Sequence, residues 1–190
     1  LIKILSGIYS KDKGIISISN KEVIIKNSSD SIKEGVGLLP QELSIHSEMT
    51  VAENLMMGNL PTKKLAGVNF TDQNKMNKIA KEKLLDLGLD INVKKLMKEL
   101  TLPEQRIVEI ARAMVGNAKI LIMDEPTAAL TSKESKTLFE ALEKTRKAGV
   151  GIIYISHYLD EVFDVCQRIL VLRDGKNAGE FETKKSNHDE

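Results

Sequence analysis

One stretch, Lys119 to Thr127, constrains the fold of this chain more than any other part of the sequence. Its four consecutive apolar residues, 120–123, are typical of a strand that is buried on both faces, as in a parallel sheet covered by helices. Two carboxylates, Asp124 and Glu125, follow where such a strand ends. Because ligands of open α/β sheets gather at the carboxyl ends of strands, we expect both acids at a functional edge. A strand that ends in a proline turn with solvated acids is the alternative interpretation.

Two adjacent buried anions are costly unless a cation or a proton transfer makes use of them. A Mg²⁺ ion held by Asp124 would neutralise part of this charge. Glu125 would then orient or deprotonate a water molecule. The stretch therefore indicates metal-assisted chemistry on a water nucleophile.

The composition excludes several classes of protein. Lys and Arg number 28 and Asp and Glu number 27 among the 190 residues, so neither a nucleic-acid-binding stripe nor a polybasic membrane anchor is predicted. No apolar run approaches the roughly 20 residues that span a bilayer, and no secretory signal is recognisable. The single cysteine, Cys166, excludes a disulfide framework and suits a reducing cytosol, so we interpret it as a packing residue.

Both ends of the sequence look arbitrary for a complete protein. The chain lacks an initiator Met, and an apolar stripe at helical spacing begins at once, with no Ser, Thr, Asp or Asn to cap it. We therefore expect residues 1–9 to be the remainder of a longer helix, and residues 183–190 to be a polar tail. The sequence is interpreted as a fragment. The stripe consists of Leu1, Ile4, Leu5 and Ile8.

The rest of the chain alternates apolar runs with segments at helical spacing. Capping patterns at Thr50–Glu53 and Thr101–Glu104, and a Ser-x-x-Glu-like start near Ser132, predict three helix beginnings. Strands are predicted at Ile15–Ile18, Val23–Ile25, Val36–Leu39, Ile120–Met123, Gly149–Ile155 and Ile169–Leu172, the last followed by a hairpin turn at 173–176. Helices are predicted at about 50–57, 71–87, 101–115, 132–148 and 160–164.

These elements favour an α/β fold with a parallel sheet. Two buried strands are connected by a helix, and each ends in a reactive side chain, which makes a parallel arrangement the most economical. Residues 1–41 and 116–190 are predicted to form the α/β core. Residues 42–115 are predicted to be a mainly helical subdomain inserted into it.

Four motifs then occur in a recognisable order and spacing. They are Gln41 after a short strand, Leu-Thr-Leu-Pro-Glu-Gln at 100–105, Ile120 to Glu125, and Ile155-Ser156-His157. Together they resemble the Q-loop, signature loop, Walker B motif and H-loop of the ATPase domain of ABC transporters. The resemblance covers nearly the whole chain. It implies a P-loop NTPase-like sheet with an inserted helical subdomain, which binds ATP and Mg²⁺.

The resemblance also implies partners and a location. Such a domain works as a head-to-tail pair with a second ATPase domain, beneath a membrane permease, as a peripheral protein on the cytoplasmic face of the bacterial membrane. More narrowly, residues 40–44, 50–54 and 124–131 resemble the first half of tandem ATPases that serve sugar importers of the ribose, galactose or xylose type. The sugar is chosen by the permease and by a separate sugar-binding protein.

Three alternatives stay open at this point. ATPases of nucleoside importers are close to the sugar-importer pattern. ABC-type ATPases outside transport are a second alternative, although they would need a long charged linker or a coiled-coil insertion. A half that only binds nucleotide or docks the permease is a third, and the presence of both Glu125 and His157 disfavours it.

The resemblance assigns a role to each matched residue. Asp124 would hold Mg²⁺ through water, and Glu125 would be the general base. His157 would hydrogen-bond the γ-phosphate and the attacking water, although a strand-end histidine satisfied by backbone is the plain alternative. Gln41 would sense Mg²⁺ and report the nucleotide state to the permease. These roles suit phosphoryl transfer, which depends on positioning and charge neutralisation.

The remaining candidates are weaker. Thr127 follows the turn proline and is interpreted as structural, and His46 and His188 are interpreted as surface histidines. The pair Met56-Met57 looks exposed and could receive a permease helix, although ordinary packing is the favoured interpretation.

The chain departs from the family pattern in two places. The phosphate-binding loop, G-x-x-x-x-G-K-[ST], is absent, and residues 1–5 resemble the helix that follows it. We therefore expect the fragment alone to bind ATP poorly and to be inactive.

The second departure lies in the signature loop, which includes Thr101 and Glu104 as nucleotide-binding candidates. Leu102 and Pro103 replace the two glycines of L-S-G-G-Q, and Pro103 supplies no N–H. The carboxylate of Glu104 competes for the place of an anion at the helix N-terminus. An asymmetric pair with one slow half-site is expected. Thr131 stands where many family members have an aspartate, which puts cross-talk between the two sites in doubt.

Overall fold

Helices and strands alternate through the described residues, 1–65 and 68–183, of the computed structural model. Residues 184–190 of the predicted tail, which include His188, lie outside the described residues. The helices are α1 (Ile2–Leu5), α2 (Ser28–Lys33), α3 (Val51–Leu55), α4 (Gln73–Asp86), α5 (Leu102–Val115), α6 (Ser132–Lys147) and α7 (Leu159–Val165), with a 3₁₀ turn at Met97–Glu99. The strands are β1 (Ile16–Ile18), β2 (Lys21–Val23), β3 (Val36–Leu39), β4 (Thr62–Leu65), β5 (Val68–Thr71), β6 (Ile120–Asp124), β7 (Gly151–Ile155), β8 (Arg168–Arg173) and β9 (Lys176–Glu182).

The predicted buried strand, β6, is the middle strand of a parallel sheet with the order β3-β6-β7. In register, Met123 lies between Leu39 on one side and Tyr154 on the other. Because the three strands run in the same direction, their carboxyl ends share one edge. The prediction of a parallel α/β sheet is confirmed.

Alternate residues of β6 enter two separate clusters of buried apolar side chains. Leu121 and Met123 pack among the residues of α3, α4, α5 and α6. Ile122 faces the opposite side, where it packs with Val36 and with the β1–β2 hairpin. β6 is therefore buried on both faces, as predicted. β7 was predicted to be fully buried, which is wrong, since its residues 152–155 are only partly buried at the edge of the described sheet.

Capping boxes begin α3 and α6, although the second lies one residue earlier than predicted. Thr50 and Glu53 form a reciprocal capping box at the start of α3. At the start of α6 the cap is Thr131 rather than Ser132, because the Thr131 side chain and Glu134 satisfy each other's backbone groups. No described helix combines the length and the apolar character that a membrane span requires.

The first helix is much shorter than predicted. α1 ends at Leu5, and Gly7 adopts a left-handed conformation with φ of +73°. The Gly7 N–H donates to the carbonyl of Ile4, and the Ile8 N–H donates to the carbonyl of Lys3. These two bonds form a Schellman motif, which ends α1. A Cβ at Gly7 would lie 2.3 Å from the Asn27 carbonyl, so only glycine fits there. The predicted stripe therefore breaks, and Leu1 and Ile8 are exposed.

Tight turns set the register of two hairpins. Ser19 and Asn20 both have positive φ and join β1 to β2, which places the second strand two residues earlier than predicted. Asp174 and Gly175 do the same between β8 and β9, so the predicted hairpin turn at 173–176 is confirmed.

One hairpin and one helix were not predicted. Residues 42–115 contain α3, α4 and α5, and also the β4–β5 hairpin, in which all four residues of β5 are exposed. Helix α2 is capped by Asn27, whose side chain accepts the backbone N–H of Asp30. The division into a core and an inserted subdomain stays a prediction.

Candidate functional site

Three side chains from three segments meet at the carboxyl edge of the sheet. Gln41 lies two residues beyond β3, Glu125 directly follows β6, and His157 lies two residues beyond β7. The His157 Nδ1 atom lies 2.9 Å from Glu125 Oε1, and the Gln41 Nε2 atom lies 3.4 Å from Glu125 Oε2. Glu125 thus bridges the other two, and the parallel topology accounts for the convergence.

The backbone at Glu125 is unusual. Its N–H donates to the carbonyl of Ile155 at 2.9 Å, so the pairing of β6 with β7 continues to this residue. Its φ is +45°, in the left-handed region that L side chains rarely occupy. Backbone strain of this kind concentrates at functional sites, where the surrounding structure maintains it.

The cluster is open to solvent. The Glu125 side chain is 29% exposed and the His157 side chain is 60% exposed, while Gln41 is exposed. The ring of Tyr158 lies 4.1 Å from the imidazole ring of His157. A carboxylate with this access can exchange protons with water and can contact a ligand.

Asp124 is the last residue of β6 and is half-buried, in register with Ile155. The described residues contain no group of three or more His, Cys, Asp and Glu side chains arranged to hold a metal ion. Mg²⁺ commonly takes only one or two carboxylates and fills its other positions with water and phosphate oxygens. Asp124 supplies one carboxylate of this kind at the end of β6.

A second carboxylate, which the sequence did not single out, organises the turns beside the cluster. Glu161 Oε2 accepts the hydroxyl of Thr127 at 2.6 Å and that of Tyr154 at 2.9 Å. Ser156 Oγ lies 3.5 Å from the same oxygen and accepts the Tyr158 N–H. Burial raises the pKa of the Tyr154 phenol well above its ordinary value, so the phenol remains a donor. Thr127 is buried, which agrees with its predicted structural role.

The two signature-loop candidates lie on another element, the N-terminus of α5. The Glu104 carboxylate accepts the Thr101 N–H at 2.7 Å and the Thr101 hydroxyl at 2.8 Å. These bonds form the predicted capping box, and Pro103 lies in the first turn. Within residues 1–65 and 68–183, no hydrogen bond or ion pair joins Thr101 or Glu104 to Glu125.

Three lesser predictions can be compared with the structure. Met56 is buried in the main apolar cluster, so the expectation of an exposed pair at 56–57 is wrong for Met56, and packing is its role. His46 is exposed, in agreement with the prediction. Burial raises the pKa of the half-buried Cys166 thiol, which suits a packing residue.

Most of the chain matches one known family. Residues 1–128 match the family described as ABC transporter. This chain belongs to the ABC transporter family. The matched residues include Gln41, the signature-loop candidates and Glu125, whereas His157 lies beyond them.

Curated relatives match the ABC transporter chain along its whole length. The ribose import ATP-binding protein RbsA of Bacillus cereus is 43% identical over 190 residues, which is 100% of this chain and 38% of that protein. The protein of the same name from Clostridium perfringens is 42% identical over 189 residues, which is 100% of this chain and 37% of that protein. The predicted resemblance to sugar-importer ATPases is confirmed. The chain spans less than two fifths of the length of these relatives.

Solved structures agree on the fold. An ATP-binding cassette of an ABC transporter superimposes with a TM-score of 0.81 at 25% identity, covering 97% of this chain and 75% of that one. A nucleotide-free ATP-binding cassette gives a TM-score of 0.76 at 23% identity, covering 95% and 74%. The predicted fold class, the α/β core of an ABC ATPase, is confirmed.

Proposed function

We propose that this chain is part of an ATPase that powers the import of a sugar through an ABC transporter, with ribose as the first candidate. The observation that carries the proposal is the contact of 2.9 Å between His157 and Glu125, at the end of the central strand. The relatives that match the chain over its whole length are named for ribose import.

Two donors hold the Glu125 carboxylate from different sides. His157 donates to Oε1 when its Nδ1 carries the proton, and the Gln41 amide donates to Oε2. An ionised carboxylate has about four acceptor positions, so each oxygen keeps capacity for another bond. Glu125 is therefore oriented and still able to accept a proton from an attacking water.

The other residues supply charge and position. Asp124 would hold Mg²⁺, which neutralises charge on the phosphates of ATP when it is bound. Gln41 belongs to the loop that follows β3. A change in nucleotide state would be transmitted to the permease through that loop. The imidazole of His157 would contact the γ-phosphate through its exposed side.

The phosphate cradle of ATP is not among these 190 residues, because they contain no glycine-rich loop with a lysine. We expect isothermal calorimetry to show no binding of ATP to the 190-residue chain alone. Extension at the N-terminus to include such a loop should restore binding. Micromolar affinity of the unextended chain would contradict the assignment.

The remaining partners follow from the same proposal. A second ATPase domain would pair head-to-tail with this one, at the cytoplasmic face of the membrane, under a permease that receives its sugar from a binding protein. The Thr101–Glu104 pair occupies the groups that would otherwise face the partner's nucleotide. The half-site that uses this signature loop would therefore be the slower of the two.

A transport assay tests the proposal directly. The full-length gene product is reconstituted with its permease and binding protein in liposomes, and ATP-dependent uptake of ribose, galactose, xylose and nucleosides is compared. Uptake of a sugar is expected, and uptake of nucleosides alone would support the alternative importer class.

Variants connect transport to the site. Glu125→Gln should lower ATP turnover at least about 100-fold, since it removes the general base. Glu140→Gln, on the exposed face of α6, is the matched control and should leave turnover unchanged. Unchanged hydrolysis in Glu125→Gln would refute the role given to Glu125.

A further inference from the structure

The segment 40–44 connects β3 to the helical region and has no regular secondary structure. Its Gln41 side chain nevertheless lies within 3.4 Å of Glu125. No strand or helix holds the backbone of this segment, so other groups must determine where Gln41 points. The structure provides them from α5.

Arg106 contacts the start of the segment through its guanidinium group. Its Nη1 atom donates to the carbonyl of Pro40 at 2.8 Å, and its Nη2 atom donates to the carbonyl of Gln41. The same Nη1 atom lies 2.9 Å from Glu109 Oε2. One side chain thus satisfies two consecutive carbonyls that have left the sheet.

Glu109 contacts the end of the segment. Its Oε1 atom accepts the N–H of Ser44 at 2.7 Å. Arg106 and Glu109 together therefore bind three backbone groups on both sides of the Gln41 side chain. We name this ion pair with its three backbone contacts the α5 clamp.

The α5 clamp is buried. The Arg106 side chain is 7% exposed and the Glu109 side chain is 1% exposed. A buried ion pair adds little net stability over apolar residues of the same volume, because desolvation offsets the attraction. Its directional hydrogen bonds do specify one arrangement of the groups they join. A buried pair that binds loop backbone is therefore better suited to positioning than to stabilising α5.

We propose that Arg106 and Glu109 are positioning residues that hold Gln41 against Glu125. They act through the backbone of 40–44 and do not contact the Glu125 carboxylate. The role in hydrolysis rests on the proposed function, whereas the restraint on the segment does not. The two parts can therefore be tested separately.

The first test needs no activity. Hydrogen exchange of the full-length gene product without nucleotide is measured for peptides that cover 41–46 and for peptides from α6. Arg106→Met and Glu109→Gln should accelerate exchange at the Ser44 amide at least about tenfold more than they accelerate exchange in α6. Arg146→Met is the matched control, since it breaks an exposed Arg–Glu pair with Glu143 at the same spacing of three residues.

Two outcomes would overturn the restraint. One is unchanged exchange over 41–46 in both variants, and the other is equal acceleration throughout the molecule, which would make the pair a general stabiliser. Arg106→Lys retains the charge but cannot reach both carbonyls with a planar fork. If Arg106→Met does not fold, Arg106→Lys is used instead, and its exchange rate over 41–46 should lie between those of the unmodified protein and Glu109→Gln.

The second test uses ATP turnover in the reconstituted transporter. Arg106→Met should lower kcat about as much as Gln41→Ala does, with the KM for ATP changed less than twofold. The double variant should be no slower than the slower single variant within about twofold, because both changes remove the same contact. Multiplied losses in the double variant would show that Arg106 acts elsewhere and would overturn the inference.

Failure of the proposed function has a different signature. If the unmodified protein and Arg146→Met both lack ATPase activity, the proposed function fails and the exchange results still decide the restraint. If both are active, but the losses in kcat from Gln41→Ala and Arg106→Met multiply in the double variant, the positioning role fails and the ATPase assignment stands.

Discussion

Glu125 and Glu109 each join segments that are far apart in the sequence, but their surroundings are opposite. Glu109 is in the middle of a helix, 1% exposed, and its carboxylate is bonded to Arg106 and to the Ser44 N–H. Glu125 lies at a strand end in the left-handed region, 29% exposed, between an imidazole and an amide. A carboxylate enclosed by donors fixes positions, whereas one with solvent access and strained backbone is available for chemistry.

Replacing each of the two glutamates by alanine should give the largest difference in the free energy of unfolding. Glu109→Ala should lower the free energy of unfolding by about 3–5 kcal/mol, because it leaves the Arg106 charge buried without its partner. Glu125→Ala should change it by less than about 1 kcal/mol, as expected for a carboxylate that is partly exposed to solvent. Chemical denaturation of the full-length gene product, followed by circular dichroism, measures both. Equal losses would remove the distinction drawn here.

Glu161 should give an intermediate result. Glu161→Ala removes the acceptor of the Thr127 and Tyr154 hydroxyls, so a loss of about 1–3 kcal/mol in unfolding free energy is expected. The exposed Glu140→Ala variant on α6 serves as the control and should lose less than about 0.5 kcal/mol. If both variants lose the same, Glu161 does not support the turns beside His157.

Glycine at position 125 should sharpen the contrast between chemistry and stability. Glu125→Gly removes the Cβ from a residue with φ of +45°, so it should be more stable than Glu125→Ala by about 0.5–1 kcal/mol. Neither variant should hydrolyse ATP. Thermal denaturation of the two variants in parallel isolates the backbone effect, and an identical Tm would show that the conformation is unstrained.

Replacement of Glu53, the capping glutamate of α3, should have the smallest effect on the free energy of unfolding, and this effect should depend on pH. The Thr50 hydroxyl and N–H lower the pKa of Glu53 from its ordinary value of 4.5. Its stabilising contribution is therefore complete above that value and is lost as the pH falls through the lowered pKa. Glu53→Gln should cost about 0.5–1 kcal/mol at pH 7, and the cost should vanish in acid. Urea denaturation across pH 2 to 7 measures it, and a pH-independent cost would exclude the ionised cap.

Patterns that lie within one element could be predicted well. The apolar run 120–123 predicted the buried central strand, and the Thr50–Glu53 spacing predicted the cap of α3, because both depend on neighbours along the chain. The β4–β5 hairpin was missed because the apolar–polar alternation of β5 covers only four residues, 68–71, and buries none of them. α1 was predicted too long because the stripe hid the constraint at Gly7, which arises from its contact with Asn27.

In the candidate site, too, residues with a local sequence pattern were predicted and residues defined by contacts between distant segments were not. Gln41, Glu125 and His157 were identified because each directly follows a strand, and parallel strands bring such residues to one edge. Glu161 carried a weaker signal, four residues after His157 in the first turn of α7. Arg106 and Glu109 carried none, because a charged pair three residues apart on a helix is common on exposed surfaces.

The sequence by itself determined the parallel sheet, the order of its reactive strand ends and the family of the chain. These depend on periodicity and on residue type at fixed spacing, both of which are written along the chain. Only the tertiary structure decided which carboxylate is open to solvent and which is enclosed. Burial and hydrogen-bond partners are set by segments as much as 84 residues apart, as for Gln41 and Glu125, and local sequence does not encode such distances.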